Sequence, residues 1–433
     1  MVKRKKQEEP AEDIDPILLE LERLADWTPS IYRLTFDLSQ DLISHEKAKR
    51  VACSQCRDSG FLLPSEETTS FLELCPWCPG VAALGHDRCW RILKCLNNQT
   101  NEYDGRFARV FLVRSRFSGT VRVAKMLKPG LEAMARGEAR WLYRLGIVCD
   151  VAYSLRFYGL IRHSVEGQPV CWGLLLEPLE SIINCINSTP MLVWIRRLLV
   201  DVAFPLQILH DRLNGIHADI KPTNLMCIRQ DGEFRFRLVD FGNALSVKDP
   251  DQRPKYHPNY EVQTFSYRAP ELLLGMAEFG PATDIWALGV LLLELILKSL
   301  AAEQGINFGL LFEASDRTGL LLQIGDLLGP YSDQLVEDGH CDLNSPLPLR
   351  SAFEGNQLWW RQWRRANIAR LFQQYRPLKN AELLGRDLSF LDMLAGLLDP
   401  DPSSRLTAQQ ILCHPFLRPI VPFEPPSSPK LFL

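Results

Sequence analysis

The chain has 433 residues, 46% of them hydrophobic and 23% charged, and a formal net charge of −3. That balance describes a soluble globular protein with room for two or three domains. It leaves no whole-chain field to attract nucleic acid or an acidic membrane surface.

The basic run Lys3-Arg4-Lys5-Lys6 leads into Gln7-Glu8-Glu9-Pro10 and not into an apolar core, so it does not read as a secretory signal. Twelve cysteines in a chain of this length do not suggest a disulfide scaffold. The expectation is a reducing compartment, cytoplasmic or nuclear, with thiols free or metal-bound. The basic run has two readings, a nuclear import signal and a solvated terminus. The longest apolar run, Ile285 to Leu297, is too short to span a membrane and contains Glu294. It reads as a buried helix, and no membrane partner is expected.

Residues 1–49 read as a charged tail and a docking helix. Asp15-Pro16 supplies an N-cap and a first-turn proline for a helix to Trp27, with Ile17, Leu18, Leu21 and Leu24 on one face. Residues 50–97 read as a small metal module. Cys53-Ser54-Gln55-Cys56 and Cys75-Pro76-Trp77-Cys78 form two knuckles, and residues 57–74 between them suit a small hairpin. Four thiolates at this spacing can hold one tetrahedral Zn²⁺, a structural site because no position stays open. The module resembles a zinc ribbon, with His86, Cys89 and Cys95 close enough to substitute for a ligand and a protein partner as its expected contact. Reduced cysteines in a small core are the alternative.

Thr120 to Lys125 reads as a strand, followed by a helix on which Glu138, Leu142 and Leu145 share the inward face. Glu132 competes with Glu138 as the partner of Lys125, a pairing that the family resemblance given below implies. Trp172 to Leu176 is a buried strand, and Met191 to Leu213 a long amphipathic helix. The chemistry gathers in the next stretch. His217-Ala218-Asp219-Ile220-Lys221-Pro222-Thr223-Asn224 precedes a polar hairpin and then Leu238-Val239-Asp240-Phe241-Gly242. Phosphoryl transfer needs such a set, because catalysis there is mostly positioning and charge neutralisation. Asp219 can accept a hydroxyl proton, Lys221 can lie on the transferring phosphate, and Asn224 and Asp240 offer the oxygens that Mg²⁺ prefers. Farther on, Trp359, Trp360 and Trp363 alternate with Arg361, Arg364 and Arg365. That pattern suits an amphipathic helix packed on its own domain better than a grip on single-stranded nucleic acid, which is not an expected partner.

The run from His217 resembles the catalytic loop and Asp-Phe-Gly motif of protein kinases, and Tyr267-Arg268-Ala269-Pro270-Glu271, Asp284-Ile285-Trp286, Arg405 and His414-Pro415-Phe416 continue it in order. The resemblance implies an α+β bilobal kinase fold over residues 98–418, with a small β-rich lobe, a large helical lobe and a tail at 419–433. It implies ATP and Mg²⁺, with Gly105, Val110, Lys125, Glu138, Glu177, Leu179, Asn224 and Asp240 at the nucleotide and metal, and Asp219 and Lys221 catalytic. Of the glycine-rich loop only Gly105 stands, with Tyr103 and Ala108 in the outer places. Asp219-Ile220-Lys221-Pro222, Asp240-Phe241-Gly242-Asn243-Ala244 and Glu261-Val262-Gln263-Thr264 are similar to the SR-protein kinases of the CMGC group. Ile324 to Pro330 looks like the CMGC insert. Lys221 and Thr264 imply protein substrates with serine or threonine; the alternative is a pseudokinase scaffold. Ala218 and Phe265 stand where arginines are common, so a loop phosphate would lack its reader, and Glu261 has two readings, a pair with a cation such as Arg136 or Arg140 and a solvated loop residue.

Overall fold

The computed structural model describes residues 83–84, 89–96, 107–163, 170–230, 232–248, 262–276, 278–350 and 357–418. The helix expected after Asp15-Pro16, the knuckles at Cys53, Cys56, Cys75 and Cys78, His86, Gly105, Glu261 and the tail 419–433 lie outside them. The chain divides into two compact units, one of residues up to Tyr143 with Arg156–Pro178, the other of Arg144–Leu155 with Leu179 onward.

The first unit is built on a six-stranded sheet of order β1-β2-β3-β4-β6-β5. Its strands are β1 (Ala83–Leu84), β2 (Trp90–Cys95), β3 (Ala108–Ser115), β4 (Val121–Leu127), β5 (Phe157–His163) and β6 (Cys171–Leu176). Helix α1 (Glu132–Val148) follows β4. Alternation along β3 buries Phe111 and Val113 and leaves Arg114 exposed. Phe111 and Val113 join Ile92, Ala124, Met126, Ile161, Cys171 and Leu175 in one apolar cluster. The larger of these side chains, such as Phe111, Val113, Met126 and Leu175, each contribute about 1.5–3 kcal/mol on full burial. β6 lies close against β4 because position 173 is glycine: a Cβ there would stand 2.6 Å from the Lys125 carbonyl oxygen.

The sheet begins earlier than the expected domain start at residue 98. β2 pairs with β3 from Trp90↔Ser115 onward, and Leu96 N donates to Val110 O at 2.8 Å. Cys95 therefore packs against the sheet core and Cys89 is buried beside β2. Both were candidates for an alternative zinc ligand. Among the described residues no group of three or more His, Cys, Asp or Glu is arranged to hold a metal.

The second unit is helical, with small sheets at its site. Strands β7 (Glu180–Ser181), β9 (Leu225–Gln230) and β10 (Glu233–Leu238) form one sheet, and β8 (Gly215–Ile216) pairs with β11 (Leu245–Ser246). Its helices include α2 (Ile182–Ser188), α3 (Met191–Gln207), α4 (Pro270–Leu273), α5 (Ala282–Glu303), α6 (Arg317–Leu328), α7 (Gln357–Gln373), α8 (Lys379–Arg386), α9 (Leu388–Leu397) and α10 (Ala408–Leu412). α3 is shorter than the expected span to Leu213. Past Pro205, a residue that cannot donate to the ladder, the chain changes to a π-helical turn at Ile208–Arg212.

The apolar run expected as a buried helix lies in α5, whose 22 residues are long and apolar enough by length and composition to cross a membrane. Ile285, Leu288, Leu291 and Leu292 are all buried in the core of the unit, which accounts for that apolarity. Glu294 is tolerated there because Tyr267 Oη donates to it at 2.8 Å and Lys298 Nζ at 2.7 Å. The tryptophan helix α7 buries Trp360 and leaves Trp359 exposed. Its arginines are paired: Arg364 with Asp399, Arg361 and Arg365 with Asp392.

Candidate active site

The residues expected at the site fall in both units. In the sheet unit the register sets Val110 opposite Lys125 on neighbouring strands. Lys125 Nζ is hydrogen-bonded to both carboxylate oxygens of Glu138 on α1, at 2.9 and 2.8 Å. The rival Glu132 is instead paired with Arg136 one turn along the helix at 2.5 Å. Arg136 also lies over the Trp172 ring, 4.7 Å from its centroid. Glu177 is buried, its Oε1 accepting from Arg156 N at 2.9 Å and its own N donating to Arg156 O at 3.1 Å. Any part Glu177 plays toward a nucleotide base is thus not a side-chain one. Leu179, two residues on, opens the helical unit and is half-buried.

In the helical unit the hairpin β9–β10 does the assembling. Pairing of Leu225 with Leu238, extended by Val239 N donating to Asn224 O at 2.9 Å, brings Asn224 and Asp240 to one end of the hairpin. Asp240 takes a left-handed backbone, φ 64°, and its Oδ1 accepts from Gly242 N at 3.3 Å. That conformation is sparsely populated outside glycine, and Asp is among the residues that tolerate it.

Asp219 is held from four sides. Thr264 Oγ1 donates to its Oδ1 at 2.8 Å. Lys221 Nζ lies 3.0 Å from its Oδ2 and also donates to Thr264 Oγ1 at 3.0 Å. Asn224 Nδ2 donates to the Asp219 main-chain oxygen at 2.8 Å and to Oδ2 at 3.1 Å. Asn243 Nδ2 completes the set on Oδ2 at 3.2 Å. With its amide nitrogen committed to Asp219, Asn224 keeps its carbonyl oxygen as a metal donor, and with Asp240 this makes two hard oxygen donors at one hairpin end. The donor chemistry fits Mg²⁺.

A buried layer underneath fixes the loop. Asp284, at the start of α5, is fully buried and accepts from His217 N at 2.8 Å, Ala218 N at 2.9 Å and His210 Nε2 at 2.9 Å. Burial alone would raise its pKa, but the bond and charge of His210, with His217, outweigh that and hold it below the usual carboxylate value. These bonds accompany the left-handed turn at Ala218, φ 63°. His217 is pushed the other way: burial lowers its pKa against the pull of Asp284, Asp240 and Asp219. A neutral ring fits the contacts, since Nε2 donates to Val239 O at 3.1 Å while Nδ1 accepts from Asp219 N at 3.3 Å. His217 thereby ties the catalytic loop to the strand end that bears Asp240. Below Thr264, Gln263 bridges Thr283 O and Ala269 N, both at 2.9 Å. Arg405 grips Glu271 through two bonds of 2.7 and 2.9 Å in full burial.

Sequence reasoning found Thr264 through its family position but missed Asn243, His217, His210 and the receiving role of Asp284. His217 and Asp284 are 67 residues apart, and no local pattern announces their contact.

A β-sheet unit bearing a lysine–glutamate pair, joined to a helical unit bearing this loop, is the bilobal protein kinase fold. Solved structures agree on the fold. The CAK complex from Chaetomium thermophilum bound to ATP-gamma-S matches with TM-score 0.56 at 23% identity, over 77% of this chain and 92% of that one. A crystallised kinase domain matches with TM-score 0.53 at 19% identity, over 79% and 98%. The family model of the protein kinase domain matches residues 179–417, and the chain belongs to that family. It is 30% identical over 214 residues to mitogen-activated protein kinase 4a of Physcomitrium patens, covering 47% of this chain and 44% of that protein. It is 34% identical over 202 residues to the serine/threonine-protein kinase srb10 of Schizosaccharomyces pombe, covering 46% and 49%. Cyclin-dependent kinase 12 of Drosophila melanogaster is 31% identical over 224 residues, covering 50% and 16%. The chain thus spans less than half the length of these curated relatives, which are of the CMGC kind. Family membership implies ATP and Mg²⁺.

Proposed function

We propose that the chain is an ATP-dependent serine/threonine protein kinase that transfers the γ-phosphate to a protein hydroxyl. The observation that carries this reading is the Asp219 carboxylate held by Thr264, Lys221 and Asn224 in one closed network. Asp219 would take the proton of the attacking hydroxyl, and Lys221 would lie against the transferring phosphate. Asn224 and Asp240 would hold Mg²⁺, whose contribution is to neutralise the phosphate charge. Lys125, fixed by Glu138, is the candidate anchor for the nucleotide phosphates.

The test is transfer of labelled phosphate from ATP to a serine/threonine peptide array by purified protein. Loss of transfer in Asp240→Asn, with MgATP turnover absent as well, supports the reading; no transfer by the unaltered protein refutes it. That second outcome would favour a pseudokinase scaffold, the reading prompted by the single glycine, Gly105, in residues 103–108.

Finer features belong to the same proposal. The SR-protein-like motifs, Ala218 and Phe265 support a kinase that works without a loop phosphate, since no arginine stands at either of those two positions. Arg136 is paired with Glu132 at 2.5 Å, and Glu261 lies outside the described residues. Activity that survives phosphatase treatment supports this, and activity restored only by another kinase refutes it. Cys53, Cys56, Cys75 and Cys78 would hold one structural Zn²⁺ in a module facing a protein partner, in the cytoplasm or nucleus. Metal analysis of chelator-free protein should find about one zinc per chain, and a Cys75→Ser variant less.

A further inference from the structure

The two oxygens of the Asp219 carboxylate are not equivalent. Oδ2 lies within 3.2 Å of three donors, Lys221 Nζ, Asn224 Nδ2 and Asn243 Nδ2. Oδ1 receives Thr264 Oγ1. A carboxylate oxygen offers two in-plane lone pairs, so Oδ2 is saturated while Oδ1 keeps one for an incoming hydroxyl. We propose that Asn243 is a positioning residue for phosphoryl transfer: its side-chain amide fixes the Asp219 carboxylate so that Oδ1 is the oxygen presented to the substrate. The inference rests on the kinase reading above and adds to it a residue that reading did not use.

Three observations carry it. Asn243 closes the short 3-10 turn Phe241–Asn243 that begins at Asp240, so one turn bears a candidate Mg²⁺ ligand at its start and a clamp on the base at its end. Asn224 repeats that arrangement from the other strand, being both a candidate ligand and a donor to Oδ2. Asn243 is exposed, yet it spends its amide nitrogen on a carboxylate that is itself buried. An exposed asparagine with no task gains little by ordering itself in this way, whereas one aimed at the base removes a rotational freedom of the reacting group.

The substitution series separates a donor from a spacer. Asn243→Ala removes the donor, and kcat on the best array peptide should fall by about tenfold, the usual worth of one hydrogen bond to a charged group. The KM for ATP and the dissociation constant of MgATP should stay within about twofold, because the amide touches the base and not the nucleotide. Asn243→Asp keeps the shape but sets an anion against Oδ2, so its loss should exceed that of the alanine variant. Asn243→Gln, which restores a donor on a longer arm, should recover part of the activity. Equal kcat for the aspartate variant and the parent overturns the inference, as does an alanine variant that loses MgATP affinity in step with turnover. A second measurement needs no activity. The Asn243 side-chain amide protons, observed by ¹⁵N-resolved NMR, should shift when Asp219→Asn removes the carboxylate charge, and unmoved resonances overturn the contact itself. Failure of the parent protein to transfer phosphate would sink the kinase reading, while the NMR result still decides the hydrogen bond.

Discussion

The two units hold their site residues by different means, and the family match divides between them. The match covers residues 179–417 and begins where the helical unit resumes after Pro178. The sheet unit lies outside it, although Lys125 and Glu138 are paired there within 2.9 Å. The sheet unit rests on an apolar cluster, Phe111, Val113, Ala124, Met126 and their neighbours, and such a core accepts other apolar side chains of similar volume. The helical unit rests on buried polar groups whose partners are fixed atom by atom: Asp284 with three donors, Asp219 with four, Glu271 with Arg405. A half-satisfied network of that kind costs more than an apolar replacement.

Four results would sharpen or break that comparison. The largest effect is expected at the base. Asp219→Asn should lower kcat by about 10²–10⁴-fold with the fold intact, the range for general-base catalysis. Circular dichroism and phosphate transfer on the same sample check it, and a variant as active as the parent removes Asp219 from the mechanism.

Next comes the buried pair of the helical unit. Arg405→Leu strands Glu271 without its partner and should cost about 3–5 kcal/mol in denaturant unfolding. The sheet unit offers the matching control: Leu175→Met, a change of nearly equal volume in its core, should cost under about 1.5 kcal/mol. Similar costs for the two would overturn the contrast between a polar and an apolar frame.

Gly173→Ala tests a place where the sheet unit is not permissive. A methyl group would meet the Lys125 carbonyl at 2.6 Å and Met126 Sδ at 2.5 Å. Separation of β4 from β6 should then cost about 1–3 kcal/mol and weaken nucleotide binding, because Lys125 moves with its strand. Unchanged melting and unchanged MgATP affinity would show that the strands already have room.

The smallest effect is a pH dependence. Burial lowers the folded-state pKa of His217, so the unfolded chain takes up that proton first. The neutral ring therefore contributes stability that is present above the unfolded value, about 6.5, and is lost as pH falls through the lower folded value. Urea midpoints measured from pH 7.5 to 5 should decline, and a His217→Gln variant, which titrates no proton there, should decline less. Parallel slopes would remove His217 as the cause.

Much of the site was legible because its residues lie close in sequence. Asp219, Lys221, Asn224 and Asp240 occupy one hairpin and its approach, and their order alone pointed to phosphoryl transfer. The choice of Glu138 over Glu132 followed from helical spacing, since only Glu138 shares the face of Leu142 and Leu145. The start of the sheet was misplaced for the opposite reason. Trp90 to Cys95 carries no clean alternation, its register broken by a bulge between Ile92 and Lys94, and the pairing that makes it a strand is supplied by β3.

The sequence by itself determined which chemical groups are present and the order in which the chain delivers them, because periodicity and short motifs act over a few residues. Only the tertiary structure decided how Asp219 is aimed. Thr264 reaches it from 45 residues away and Asn243 from 24, while Asp284 reaches the main chain of Ala218 from 66. Those contacts exist because burial leaves the Asp219 and Asp284 carboxylates little water to bind, so their donors are ones that folding brings near.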